Sequence, residues 1–345
     1  MNRGATDALP AAPTPAEFTV RIDAKIDYAA SLEFFRRSGD DLLDRWDGRT
    51  LVRTISIGAT PVAYACTFEA AGDALEVRVA VEDERYRYEI ERIVCAMFVI
   101  APPQFSDLIS HDPVIAALDV RYPAVRSVRQ SNLFGALLRC ISTQQVNLRW
   151  AATCRRRLAE TYGRLHQVNG NLVFSLEQAR IATLEVSDIR ALQFTNSKSE
   201  YIINVARVIA SGEVTIDLLD RMTGEEIITC LSAIRGIGVW SAEWILARTL
   251  GRPRVVAGDL GVRKAVGIAY CGGTRPIESE VRRVTAHWGE SAAVAQALLL
   301  HALAEKTLSD IVANADGAAT PSAAPAIPIR PKSARNSLFA SPRKP

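Results

Sequence analysis

The sequence predicts an α+β protein: an N-terminal antiparallel sheet carrying a helix, followed by a larger, all-helical domain. Three observations carry this. Near the N-terminus apolar and polar residues alternate in short runs, the pattern of strands with one buried face. From Asp83 onward apolar residues recur at three- and four-residue spacing, which is the helical period. Helix-start residue types then punctuate the chain at Ser131, Ser175, Ser187, Ser197, Thr223 and Glu278.

Taken in order, Phe18, Val20 and Ile22 alternate, as do Val62, Tyr64, Cys66 and Phe68, and Leu75, Val77, Val79 and Val81. An Ala-Ala-Gly-Asp turn at 70–73 joins the last two runs into a hairpin. Ala29 to Arg37 reads as the helix packed on this sheet. The expected division is a disordered N-terminus over 1–16, an α+β domain over 17–100, a helical domain over 101–312 and a disordered basic tail over 313–345. The two ends are rich in Ala and Pro with little apolar pattern, so neither buries enough surface to offset the entropy of ordering.

Composition narrows the function classes. A chain of 345 residues, 48% hydrophobic and 23% charged, is globular and long enough for more than one core. The longest apolar run, Ile93 to Pro103, falls short of the roughly 18 to 20 residues that span a bilayer. The first sixteen residues lack the charged-then-apolar design of an export signal, so a cytoplasmic location is expected. Six cysteines include no CxxC pair, which argues against a zinc ribbon, an iron-sulfur cluster or a disulfide framework and for small buried side chains. The four histidines have no ligand spacing, so no metal site is expected.

The net charge of +3 hides segregation: residues 17–92 hold sixteen acidic groups against eleven basic ones, whereas 121–165 hold nine arginines against Glu160 alone. Such a basic stretch either attracts a polyanion by counterion release or is simply a solvated face.

The most informative stretch is Leu231-Ser-Ala-Ile-Arg-Gly-Ile-Gly-Val-Trp-Ser-Ala-Glu-Trp-Ile-Leu246. Gly236 and Gly238 bracket Ile237 between two amphipathic runs, which suits a tight turn between helices. Backbone N–H groups of Gly236, Ile237 and Gly238 would then point outward with the next helix N-terminus and cradle an anion. Asp259 follows Gly238 by twenty-one residues, directly before an amphipathic run. Its plain reading is an N-cap. Trp240 and Trp244 share a helix face, and their plain reading is core packing. Glu243 is expected to face solvent and Trp150 the core.

Ile234 to Ala242 followed by Gly258-Asp-Leu-Gly-Val-Arg-Lys-Ala265 resembles the helix-hairpin-helix, loop and aspartate of the HhH-GPD superfamily of DNA glycosylases. Phe134 to Val146 resembles that superfamily's early helix with its Gln-Gln turn, and Lys198 to Ala206 its middle helix. Within the superfamily the chain is most similar to the 3-methyladenine DNA glycosylase II (AlkA) type, which also has an α+β domain ahead of the helices.

The resemblance implies that Asp259 is the catalytic carboxylate, that Trp240 and Trp244 form a stacking wall for an everted base, and that the hairpin holds a phosphate. It also implies that Gln144 and Gln145 lie where a side chain enters the minor groove. Bifunctional members carry a nucleophilic lysine at the position of Trp240, so a monofunctional hydrolase of alkylated purines such as 3-methyladenine and 7-methylguanine is expected. Its partner is damaged double-stranded DNA, acted on by a monomer associated with the nucleoid. No cofactor is needed beyond a monovalent cation that the resemblance allows at the hairpin. The competing readings are a noncatalytic helix-hairpin-helix DNA-binding protein and a glycosylase for an oxidised or deaminated base.

Overall fold

The computed structural model describes residues 13–318. Its N-terminal part is a five-stranded antiparallel sheet of β1 (Ala16–Ile22), β2 (Asp44–Trp46), β3 (Thr50–Ile57), β4 (Thr60–Ala71) and β5 (Ala74–Val81), in the order β1-β5-β4-β3-β2. The register pairs Phe18 with Val79, Val20 with Val77 and Ile22 with Leu75, so the alternating apolar residues share one face. That face is covered by α1 (Tyr28–Ser38) and α2 (Arg87–Cys95), with Leu32, Phe35, Ile90 and Val94 buried against it.

The helices that follow are α3 (Phe105–His111), α4 (Pro113–Arg121), α5 (Leu133–Thr143), α6 (Leu148–Tyr162), α7 (Gln178–Ile181), α8 (Val186–Ala191), α9 (Asn196–Ala210) and α10 (Ile216–Asp220). They continue with α11 (Gly224–Ser232), α12 (Val239–Arg248), α13 (Leu260–Tyr270), α14 (Glu278–Val284), α15 (Ala292–Ala304) and α16 (Leu308–Ala318). Two separate cores divide them into lobes. One gathers α5, α6, α9, α11 and α12 around Leu137, Ile202 and Ile245. The other packs α3 and α4 with α13, α15 and α16 around Leu118, Val266 and Leu298. The chain crosses from the first lobe to the second between α12 and α13.

Several expectations change. The helical part is not all helix: β6 (Arg164–Val168) and β7 (Asn171–Ser175) form a hairpin. Ser175, expected to start a helix, ends β7. The hairpin lays Val168 and Val173 on the other face of the sheet, against Val52, Ala63, Ala65 and Ala80. Being buried on both faces, β3 loses the period-two pattern, and β2 is only three residues long, so both escape a reading by alternation. Helix starts shift by a residue or two because other side chains cap them: Asn132 for α5 and Thr195 for α9, whereas Thr223 caps α11 in a full capping box. The tail expected from 313 begins as helix, since α16 runs to Ala318 with Leu308, Val312 and Ala315 buried at helical spacing. The rest of that tail and residues 1–12 lie outside the described residues.

Among the described residues no helix is long and apolar enough to cross a membrane. Of the six cysteines, Cys66, Cys140 and Cys154 are buried as expected, while Cys95 is exposed.

Candidate active site

The turn between α11 and α12 is closed by the Ile237 N–H donating to the Ile234 carbonyl at 2.9 Å. Gly236 has φ +100°, and a Cβ there would lie 2.3 Å from Tyr201 Cγ on α9. Both the backbone sign and the space therefore require glycine. Gly238 is different: it is the N-cap of α12, and a Cβ there meets nothing within 4 Å. Ile237 buries its side chain, and its N–H is already used inside the turn. The expected three-amide cradle is thus reduced to Gly236 and Gly238, whose N–H groups have no partner among the described residues.

The Ile234, Arg235 and Gly236 carbonyls already accept from Ile237, Asn204 and Gln144 respectively. No step of the chemistry is routed through a cation at this turn.

The Gln-Gln turn meets this hairpin directly. Gln144 Nε2 donates to the Gly236 carbonyl at 3.2 Å, while Gln145, with φ +56°, is exposed. The two glutamines therefore have different situations: one ties two turns together and the other projects from them.

Asp259 caps α13. One carboxylate oxygen, Oδ1, accepts from the Val262 N–H at 3.0 Å, and the other, Oδ2, accepts from Trp240 Nε1 at 3.4 Å. Cap and cavity roles coexist, because the cap fixes the carboxylate that the indole reaches. Asp259, Trp240 and Trp244 line one cavity of about 680 Å³, together with Gln144 and Gln145. The cavity lies between the two helical lobes. Its remaining walls come from Phe34 and Ser38 of α1, Arg139, Cys140 and Thr143 of α5, Leu148 and Arg155 of α6, Arg248 of α12, and Gln296 and Leu300 of α15. No aromatic side chain comes from α15.

Charge near the cavity is arranged by long-range pairing. Asp41, buried between the sheet domain and the helices, accepts from Arg155 Nε at 2.8 Å and contacts Arg139 at 3.1 Å. Asp44 takes Arg139 at 3.0 Å and Arg53 at 2.6 Å. Burial alone raises the Asp41 pKa, but the Arg139 and Arg155 guanidiniums and the Leu43 N–H outweigh it and hold the carboxyl below its usual range.

This arrangement corrects the basic stretch at 121–165. Arg139 and Arg155 are spent on buried ion pairs, which leaves Arg121, Arg149, Arg156 and Arg164 exposed, with Arg156 paired to Glu160. Trp150, expected in the core, is 38% exposed beneath Arg157. Glu243 does not face solvent: it is wholly buried and paired with Arg254 and Arg282.

Phe34, Arg248 and Leu148 were not singled out by the sequence. Arg248 had a signal, since 240, 244 and 248 form one helical stripe. Phe34 had none, because nothing local ties residue 34 to a cavity built two hundred residues later. Among the described residues no group of three His, Cys, Asp or Glu side chains could hold a metal ion.

Residues 138–290 match the family described as HhH-GPD superfamily base excision DNA repair protein. The chain is 30% identical over 188 residues to the DNA-3-methyladenine glycosylase of Bacillus subtilis, covering 54% of this chain and 62% of the relative. It is 27% identical over 144 residues to DNA-3-methyladenine glycosylase 1 of Schizosaccharomyces pombe, covering 41% of this chain and 60% of that protein. The matched part thus spans about three fifths of the length of these curated relatives. Among solved structures, the 3-methyladenine DNA glycosylase from Archaeoglobus fulgidus superposes with TM-score 0.72 at 21% identity, covering 82% of this chain and 98% of that one. Residues 138–290 thus match the HhH-GPD superfamily model, and the sheet and helices together share the fold of the archaeal structure.

Proposed function

We propose that the protein is a monofunctional DNA glycosylase that hydrolyses the N-glycosidic bond of alkylated purines in duplex DNA. The observation that carries the reading is the Asp259 carboxylate held by Val262 and Trp240 at the wall of an indole-lined cavity. A base in a duplex must leave the stack to reach it, at a cost of a few kcal/mol. Gln145, exposed on a strained turn, fills the gap, and the Gly236 and Gly238 amides hold a phosphate of the same strand.

Alkylation at N3 or N7 makes the purine cationic, which weakens its bond to the sugar and attracts it to the indole faces. As the bond from C1′ to the base nitrogen breaks, its electron pair leaves with the base. The Asp259 carboxylate stabilises the positive charge left on the sugar, then accepts a proton from the water that attacks C1′. The products are the free base and an abasic site. Trp240 offers no amine to form a Schiff base, so the strand stays intact.

The test is release of 3-methyladenine and 7-methylguanine from methylated duplex DNA. Asp259→Asn keeps a good N-cap but loses the charge, so it should fold normally and release bases more slowly by roughly 10² to 10³, the scale of removing one transition-state electrostatic contact. Wild-type protein that binds such DNA and releases nothing would support a noncatalytic DNA-binding module instead. A covalent adduct trapped by borohydride would contradict the monofunctional chemistry.

A further inference from the structure

The hydrolysis leaves one charged group in the cavity without a task. Arg248 sits four residues after Trp244 and eight after Trp240, so the three side chains form one stripe on the wall of the cavity. Its Cα lies about 12 Å along the helix axis from that of Trp240, while the Asp259 charge still acts on its guanidinium. Arg139, Arg155, Arg254 and Arg282 are all committed to carboxylates. Among the described residues the Arg248 side chain has neither an ion pair nor a hydrogen bond, although it is partly buried.

What positions it is Phe34, whose ring centroid lies 5.5 Å from the guanidinium carbon. A cation over an aromatic face keeps its N–H edge free. Burial pulls the Arg248 pKa down and only the Asp259 charge opposes this. Donors enclosed without acceptors are costly until a ligand supplies them.

We infer that Arg248 is a specificity-determining residue that reads an acceptor on the edge of the everted base, so that the site prefers oxo-purines to amino-purines. A guanidinium N–H donates to O6 of a guanine-type edge, the acceptor that remains when N7 carries the methyl group. The exocyclic amine of an adenine-type base would instead meet it donor to donor. Alkylated guanines keep the O6 acceptor, whereas 3-methyladenine lacks it. This rests on the glycosylase reading above and narrows its substrate class.

Binding of the two free bases, 7-methylguanine and 3-methyladenine, measured by calorimetry on the full chain, tests the inference without catalysis. Wild-type protein should favour 7-methylguanine by about tenfold, the scale of one charge-assisted hydrogen bond. Arg248→Gln should bring the two affinities together. Arg248→Met, which keeps an unbranched stem under Phe34 but has no donor, should do the same. Equal affinities in the wild type, or a preference that survives in both variants, would overturn the inference.

A third measurement excludes a phosphate clamp. A duplex with an abasic site keeps both phosphates but has no base to read, so Arg248→Gln should bind it as tightly as the wild type, and weaker binding would refute base reading. Discrimination between free bases by a protein that releases none from methylated DNA would leave this inference standing and remove the hydrolysis. Release of both bases by a protein that binds them equally would do the reverse.

Discussion

At the scale of single residues, two glycines in one turn do different work. Gly236 is required by packing, because an alanine there must displace Tyr201 and hold φ +100°. Gly236→Ala should therefore cost the fold on the order of 2 kcal/mol or more, seen as a lower urea midpoint. Gly238 has open space at its Cβ position, so Gly238→Ala should shift that midpoint by no more than about 1 kcal/mol, the loss of a tolerable N-cap. It should nevertheless weaken binding to duplex DNA, because the added methyl stands where the backbone approaches phosphate. Unchanged DNA binding by Gly238→Ala would show that the turn is only a packing device. Asp259, the tryptophan pair and the glutamine turn were legible because each belongs to a short motif with fixed spacing. Arg139, Arg155 and Glu243 were misjudged because their partners are remote: Asp41 precedes Arg155 by 114 positions, and no local pattern announces a buried ion pair.

At the scale of elements, α12 lines the cavity with Trp240, Trp244 and Arg248 and is held from its far side. Glu243 faces away from the cavity and joins Arg254, in the segment leading to Asp259, with Arg282 of α14. The pairing sets the angle at which Trp240, Trp244 and Arg248 meet the carboxylate-bearing loop. Glu243→Gln removes the charge and leaves two guanidiniums facing each other around a neutral amide. Its expected cost is roughly 1–3 kcal/mol, the scale for losing a charged partner in a half-buried network. Base release should fall further than DNA affinity does, since the hairpin amides lie outside this network. Undiminished turnover would mean that α12 is held by its apolar face alone. The elements themselves were readable where one face is wet: β1, β5 and most of β4 alternate, and α1 was placed within a residue of its ends. The β6-β7 hairpin was lost because it sits among helices and its apolar residues pack on a sheet far earlier in the chain.

At the scale of the whole molecule, the cavity exists only while the sheet domain stays docked. Phe34 and Ser38 reach it from α1, and the dock is the chain of Arg53, Asp44, Arg139, Asp41 and Arg155. The folded-state pKa of Asp41 lies below its usual value. Its contribution is therefore fully present above the ordinary carboxylate range and is lost as the pH falls through the folded value. Thermal stability of the wild type should be flat near neutrality and drop in acid. Asp41→Asn removes the proton-linked part while leaving Arg139 and Arg155 buried without their shared carboxylate, an expected loss of about 3–5 kcal/mol at pH 7. The difference in Tm between the two proteins should shrink as the pH is lowered below the ordinary aspartate value, because acid does to the wild type what the substitution has already done. A difference that stays constant with pH would mean that the buried carboxylate is not what clamps the sheet domain to the helices. With the dock loosened, Phe34 no longer supports Arg248, so Asp41→Asn should also flatten any preference between oxo- and amino-purines while DNA affinity through the hairpin persists.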